Sequence, residues 1–397
     1  MLERGLSTGL PLIVGEERPS SSSDENAIPA ELLAELLYGA TGCHDVGLTI
    51  RGAYFAASLT IDHLRFDSPL RFEHCTFASG LQATDLRARG VDFADCRFGG
   101  LPNGAAESVT FEGSTLGGSI SFDRCSLAMQ LNISRCEVRG VVRIVATELG
   151  VEPVGLLADS LTTTHDVSIE GAGTRLKGGI RLRGAKIGGQ LSISDGVTVE
   201  ATGDGSSVDA DGLTTASGVY IEGGGTVLTG GVRLVGANLG GQLNVRSGVH
   251  IAAAQDGYSI EASGFTASDV FIEDQGTTLE GGCRLVRATV SGQLSVRGGV
   301  SVGAPGGEDG VDVERCSLEA DSLTTGGNVV IEGCGTALAG GAKSAGSETT
   351  NSLPWPGPSL CATIEHDALA SPSVIVVGDV IGGVAAATQA PALSRVA

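Results

Sequence analysis

Internal repetition constrains this chain more than anything else in it. The phrase Gly178-Gly179-Ile180-Arg181-Leu182-Arg183-Gly184-Ala185-Lys186-Ile187-Gly188-Gly189-Gln190-Leu191 returns at 230–243. It returns again, more worn, from Gly281-Gly282-Cys283-Arg284-Leu285 through Ser291-Gly292-Gln293-Leu294. Two other markers keep the same phase. One is Ile169-Glu170-Gly171, Ile221-Glu222-Gly223, Ile272-Glu273-Asp274 and Ile331-Glu332-Gly333; the other is Leu161-Thr162-Thr163, Leu213-Thr214-Thr215, Phe265-Thr266-Ala267 and Leu323-Thr324-Thr325. Equivalent positions lie 51–52 residues apart, stretched in the last copy by an insertion around 303–312. Self-similarity at a fixed period of this size signals a stacked repeat architecture.

Each period subdivides. Triplets such as Val219-Tyr220-Ile221, Val232-Arg233-Leu234, Leu243-Asn244-Val245 and Val270-Phe271-Ile272 recur every 11–15 residues between glycines. Alternation over three residues reads as a very short strand with one side chain out between two in. Such units bury nothing alone, but stacked coils share one continuous core, and glycine supplies the sharp corners. The product is a parallel β-solenoid. From 46 to 140 the beat shortens: Leu81, Leu86 and Val91 are five apart, as are Phe72 and Phe77, and Phe93 and Phe98. That beat fits a pentapeptide-like coil with nearly square sides. Cys75, Cys96, Cys125, Cys136 and Cys316 each sit two residues before an apolar one, the second inward position, where free cysteine serves as a small hydrophobe.

The ends differ from the middle. Residues 1–27 contain a Pro-Ser-Ser-Ser-Ser-Asp-Glu run and no apolar period, so they read as a disordered arm. Residues 28–40 read as one short helix capping the core, with Pro29 at its first turn and Gly39 at its end. The repeat domain covers 41–342. The pattern breaks after Ala342, and 343–397 is a low-complexity tail whose Val374-Ile375-Val376-Val377 offers a strand to plug the open end.

Charge narrows the partners. Forty-six acidic residues against 25 basic ones give a net charge of −21. Duplex nucleic acid and anionic membranes require a basic footprint, so direct binding to either is not expected. The nine cysteines show no C-x-x-C and no Cys/His cluster. The longest apolar stretch, 373–387, is broken by Asp379 and glycines and falls short of a membrane span. These features read as a reducing, cytoplasmic setting.

Ile28-Pro29-Ala30-Glu31-Leu32-Leu33, the pentapeptide-like opening and the repeated Gly-Ala-x-Ile-Gly-Gly-Gln-Leu phrase resemble a family of bacterial repeat proteins labelled membrane-associated oxidoreductases or simply uncharacterised. The resemblance runs from about Ile28 to Ala342 and implies a right-handed parallel β-helix. The label brings no motif that maps onto residues here.

Chemistry-bearing patterns are few. No G-x-G-x-x-G follows a strand, and no P-loop occurs. G-x-S-x-G occurs around Ser7 and Ser301, in neither case with the strand–turn–helix context a nucleophile elbow needs. Asp209 and Asp211, near Asp204, form the best carboxylate cluster, suited to a cation or to acid–base work and equally to a turn. The one tryptophan, Trp355, lies in the tail, so the coils present no evident aromatic platform for sugars. His63 and His74 are the only histidines close enough in coil register to meet. Glu170, Glu222, Glu273 and Glu332 share one phase and read as an outward carboxylate ladder with rungs two coils, about 10 Å, apart. Arg181, Arg233 and Arg284 share another and read as a basic ladder. No catalytic residue, cofactor or metal ligand is assigned.

The reading that follows is a non-catalytic acidic rod presenting its faces to an unknown protein partner or to copies of itself. An oxidoreductase, as the family label suggests, is the second reading. A DNA-mimicking regulator is the third, and a basic ladder counts against it.

Overall fold

The computed structural model describes residues 8–23, 25–40, 45–99, 108–150, 154–201, 205–304, 317–332, 336–338, 342–343, 362–364 and 374–377. The chain winds into a parallel β-solenoid. Each coil has four sides, here faces 1 to 4 in chain order. In the first coil these are Leu48–Arg51, Tyr54–Phe55, Leu59–Thr60 and the start of Arg65–Glu73, whose later half begins face 1 of the next coil. Faces 2 and 3 each form a twelve-stranded parallel sheet, while faces 4 and 1 merge into a single 24-stranded sheet. At about 4.8 Å per coil the rod is about 50 Å long.

Strict register makes like residues stack. On face 2, Phe55, Phe77 and Phe98 stack with centroids 4.8 and 4.7 Å apart; on face 1, Phe72, Phe93 and Phe122 stack at 5.4 and 4.9 Å. Each set meets the other edge-on, as between Phe93 and Phe98 at 5.2 Å. Offset and edge-to-face packing are the arrangements ring quadrupoles favour. Nine of the ten phenylalanines are buried, seven of them in these ring contacts. Farther along, Leu, Ile and Val fill the same columns: Ile144, Ile169, Ile193, Ile221 and Val245 follow one another on face 1. The inward cysteines fit between them. Cys75, Cys96 and Cys125 line one corner with at most 3% exposure, and their thiols donate to Ile50 O, Phe72 O and Phe93 O. Cys316 lies outside the described residues.

Corners need unusual backbone. The residue closing face 1 is left-handed in coil after coil: His74 (φ 50°), Asp95 (53°), Arg124 (52°) and Ala146 (46°) precede Gly171 (93°). Glycine relieves that strain where it occurs. Elsewhere glycine answers a different need. A Cβ on Gly230 would sit 1.9 Å from Gly205 O, and one on Gly231 would sit 2.7 Å from Tyr258 O. In every second coil more residues separate face 2 from face 3, as between Thr198–Glu200 and Ser206–Asp209 and between His250–Ile251 and Tyr258–Glu261, and the coil between these two carries the Gly230-Gly231 pair there.

The N-terminal end is sealed by three pieces. Helix α1, Ala30–Gly39, buries Ala30, Leu33, Ala34 and Leu37 over the end of face 3. Ala27 bridges Tyr54 on face 2. Within the segment expected to be a disordered arm, Leu12–Ile13 pairs in parallel with Ile50–Arg51 on face 1, and Thr76 Oγ1 donates to Pro19 O at 2.6 Å. That strand is two residues long, too short to show an apolar period, and the open edge of face 1 organises it. At the other end Val374–Val377 pairs in parallel with Val329–Glu332, so the tail does extend face 1.

Replacing Phe93, which touches both phenylalanine stacks, by alanine is expected to cost about 3–5 kcal/mol of unfolding free energy in urea titrations. Leu32→Ala, on the exposed side of α1, should change it by no more than about 0.5 kcal/mol.

Candidate functional site

The charged columns on faces 1 and 3 are the candidate site, and register defines both. On face 3 the column through Arg181 runs Arg181, Asp209, Arg233, Glu261, Arg284, Glu319. The expected basic ladder is therefore an alternating one: the arginines occupy every second coil and a carboxylate fills each coil between. Guanidiniums also lean across between this column and the one two residues on. Arg181 Nε lies 2.8 Å from Asp159, Arg183 Nε 2.6 Å from Asp209, and Arg233 Nε 2.7 Å from Asp211. Arg284 lies 3.4 Å from both Glu261 and Glu319 and 5.4 Å over the Tyr258 ring. The Tyr258 hydroxyl donates to Glu319 Oε2 at 2.6 Å, and burial followed by that carboxylate raises its pKa.

Face 1 behaves similarly. Glu170, Glu222, Glu273 and Glu332 do fall on one column. Between them stand Ser194, Arg246 and Arg297, so the column is not a row of bare carboxylates. Glu222 lies 3.0 Å from Arg246, Glu273 2.8 Å and Glu332 4.0 Å from Arg297, and Glu170 2.8 Å from Arg143. Two like charges 4.8 Å apart repel by about 3.5 kcal/mol at an effective dielectric constant near 20, and by about 0.9 kcal/mol in bulk water. Alternation converts that repulsion into attraction.

Other sequence candidates resolve locally. Asp209 and Asp211 are each taken by an arginine, Arg183 and Arg233, rather than facing one another as an acid–base pair; Asp204 lies outside the described residues. His63 and His74 do not meet. His63 sits at the corner between faces 3 and 4, where its Nδ1 lies 3.3 Å from Asp85, and His74 sits at the diagonal corner between faces 1 and 2. Ser301 is extended in a two-residue strand of face 2, paired with Thr278 and Ala337. Ser7 lies outside the described residues. Among the described residues no group of three or more His, Cys, Asp or Glu side chains is placed to hold a metal ion. A groove of about 150 Å³ opens on face 1 beside Ala94; on its wall Arg71 lies 3.3 Å from Asp92, and Ser121 Oγ donates to Asp92 at 2.7 Å.

Two polar columns escaped the sequence reading. Thr174, Thr226, Thr277 and Thr336 are buried at the corner after face 1, each hydroxyl donating to the carbonyl of the glutamate four residues earlier, at 2.6–2.9 Å. Ser207 and Ser259, also buried, accept from Gly230 N and Gly281 N at 2.8 Å and donate to Val199 O and Ile251 O at 3.0 Å. Their signal was present: Ser207-Val208-Asp209-Ala210 recurs as Ser259-Ile260-Glu261-Ala262 and Ser317-Leu318-Glu319-Ala320. That phrase also carries the acidic rungs of face 3.

No known protein family, curated protein or solved structure matches the chain. Among the described residues no helix is long and apolar enough to cross a membrane.

Two outcomes follow. Arg233→Glu, which places a third carboxylate between Asp209 and Glu261, should destabilise the rod by about 1–2 kcal/mol more than Arg233→Met, allowing for the partial exposure of this side chain. In 1 M salt, with a Debye length of about 3 Å, that gap should shrink by about half; equal stabilities at low salt would show that column order carries no electrostatic weight. Burial pushes the thiols of Cys136 and Cys283 up to about 12 and that of Cys96 well above its usual value. Iodoacetamide at pH 8, mapped by mass spectrometry, should leave these three thiols, and Cys75 and Cys125 by their burial alone, unmodified until the chain is denatured.

Proposed function

We propose that this chain is a non-catalytic interaction rod, a rigid β-solenoid that presents its patterned outer faces to another protein or to copies of itself. The observation that carries this reading is the in-register alternation on faces 1 and 3. Charges there are spent along the rod axis rather than converged on one point, as acid–base or phosphate chemistry requires. A column of Arg and Asp/Glu rungs repeating every two coils is a pattern for recognition over length. The same mixed signs count against a DNA mimic, which needs one continuous acidic side. The free, buried thiols support a reducing, cytoplasmic setting.

The test is site-directed photo-crosslinking in the source cell. A photoreactive residue at Ser194, within the face 1 column, should give one discrete adduct, a partner or a second copy, and the same probe at Lys186 on face 4 should not. Equal, diffuse adducts from both positions would overturn the interaction reading. An absorption spectrum of the protein purified from its own host supplies the second arm: a flavin, haem or iron–sulfur band, or saturable nicotinamide binding, would replace the rod with an oxidoreductase.

A further inference from the structure

Phe271 is the one phenylalanine outside the core. It stands half-buried on the outer side of face 1, in the column Tyr220, Asn244, Phe271, Ser295, Val330. Large and small residues alternate along that column. Tyr220 and Phe271 are two coils apart, and the residues between and after them are covered: Asn244 is 2% exposed and Ser295 is fully buried, with Ser295 Oγ donating to Glu273 at 3.0 Å. The two rings thus flank a floor on which Asn244 Oδ1 is buried without a hydrogen-bond partner, an arrangement that costs stability until a donor reaches it. The Glu222–Arg246 and Glu273–Arg297 pairs wall one side of the column. Gln190 and Gln242, in register on either side of Gly218, border the other.

From this geometry we propose that the Tyr220–Asn244–Phe271 stripe binds an extended, neutral β-1,4-linked glycan lying along the rod. Aromatic faces two coils apart, about 9.6 Å, match the two-residue repeat of such a chain, so alternate sugar rings sit on Tyr220 and Phe271. The axial C–H groups of a pyranose carry partial positive charge and meet the negative face of an aromatic ring. A sugar hydroxyl that enters as the two rings part supplies the donor that the covered Asn244 Oδ1 lacks, and the flanking carboxylates, guanidiniums and amides meet the edges of the sugar chain. Neutrality matters because a net charge of −21 repels anionic polymers. An extended peptide gains no backbone pairing here, since strands on both sides already occupy these backbone groups. The proposal goes beyond the interaction-rod reading and does not depend on it.

Isothermal titration calorimetry of the full chain with cellohexaose, chitohexaose and, as an α-linked chain of different repeat, maltohexaose tests it. Cellohexaose or chitohexaose should bind with a Kd of about 1 mM or below, and maltohexaose at least about 10-fold more weakly. Phe271→Leu, which keeps apolar bulk and removes the ring, and Tyr220→Ala should each weaken binding about 10-fold or more. Lys186→Ala should leave it unchanged, with unaltered thermal midpoints certifying all three folds. Absence of saturable binding by both β-linked hexamers, equal binding of maltohexaose, or full affinity in either stripe variant would overturn the proposal. A face 1 crosslink to a protein alongside no glycan binding would overturn it while leaving the interaction rod standing.

Discussion

Parallel hydrogen bonding between successive coils fixes each side chain above its counterpart, about 4.8 Å away, and the rest of the molecule is a response to that constraint. Stacking like on like suits apolar side chains. Phe55, Phe77 and Phe98 stack almost face to face, and the isoleucines and valines beyond them continue the same columns. It is ruinous for charge, because a column of identical ions at that spacing repels at every step. The chain meets this by making its repeat two coils long. Arg181, Arg233 and Arg284 recur every second coil, and Asp209, Glu261 and Glu319 come between.

The double-coil period was visible in the sequence before any coil was. The repeated arginine phrase and the Ile-Glu-Gly marker gave its length, and the glycine-bounded triplets gave the strands. What stayed hidden was the complement. Asp209, Glu261 and Glu319 sit in a different phrase from the arginines, and that phrase is shorter and more varied, so the arginines looked unopposed. Neighbours along a column are 23 to 35 residues apart here, because the coils differ in length at the corner between faces 2 and 3. A register that slips by several residues per coil cannot be counted from spacing alone. The same difficulty made His63 and His74 look adjacent when they occupy diagonal corners. The strand Leu12–Ile13 was not legible for another reason: it is specified by the edge it covers, not by its own pattern.

Glycine richness has two causes that composition merges. Gly171 takes a left-handed corner that His74, Asp95 and Arg124 take under strain in earlier coils. Gly230 and Gly231 have no such backbone; they are small because carbonyls of the coils above and below crowd the space where a Cβ would be. The first kind tolerates replacement by Asn or Asp, which visit the left-handed region more readily than other residues. The second tolerates nothing larger, and the Gly-Gly of the repeated phrase meets both needs: Gly178 and Gly179 are left-handed (φ 83° and 75°), while Gly230 and Gly231 lie under crowding carbonyls.

These responses also determine what the outer surface can recognise. Because each coil is held in register with the next, each position of the repeat recurs in line every two coils, so an arginine rung or a buried threonine that the sequence repeats becomes a straight ladder. Tyr220 and Phe271 stand where Ser168 stands one repeat earlier and Val330 one repeat later. The ladders on either face keep constant spacing while the identity of a single column drifts from small polar to aromatic to aliphatic. A ligand that reads such a surface must share its translation. Compact molecules meet only one rung, where the charges are already partnered, whereas an extended partner with its own regular repeat gains from every second coil it spans.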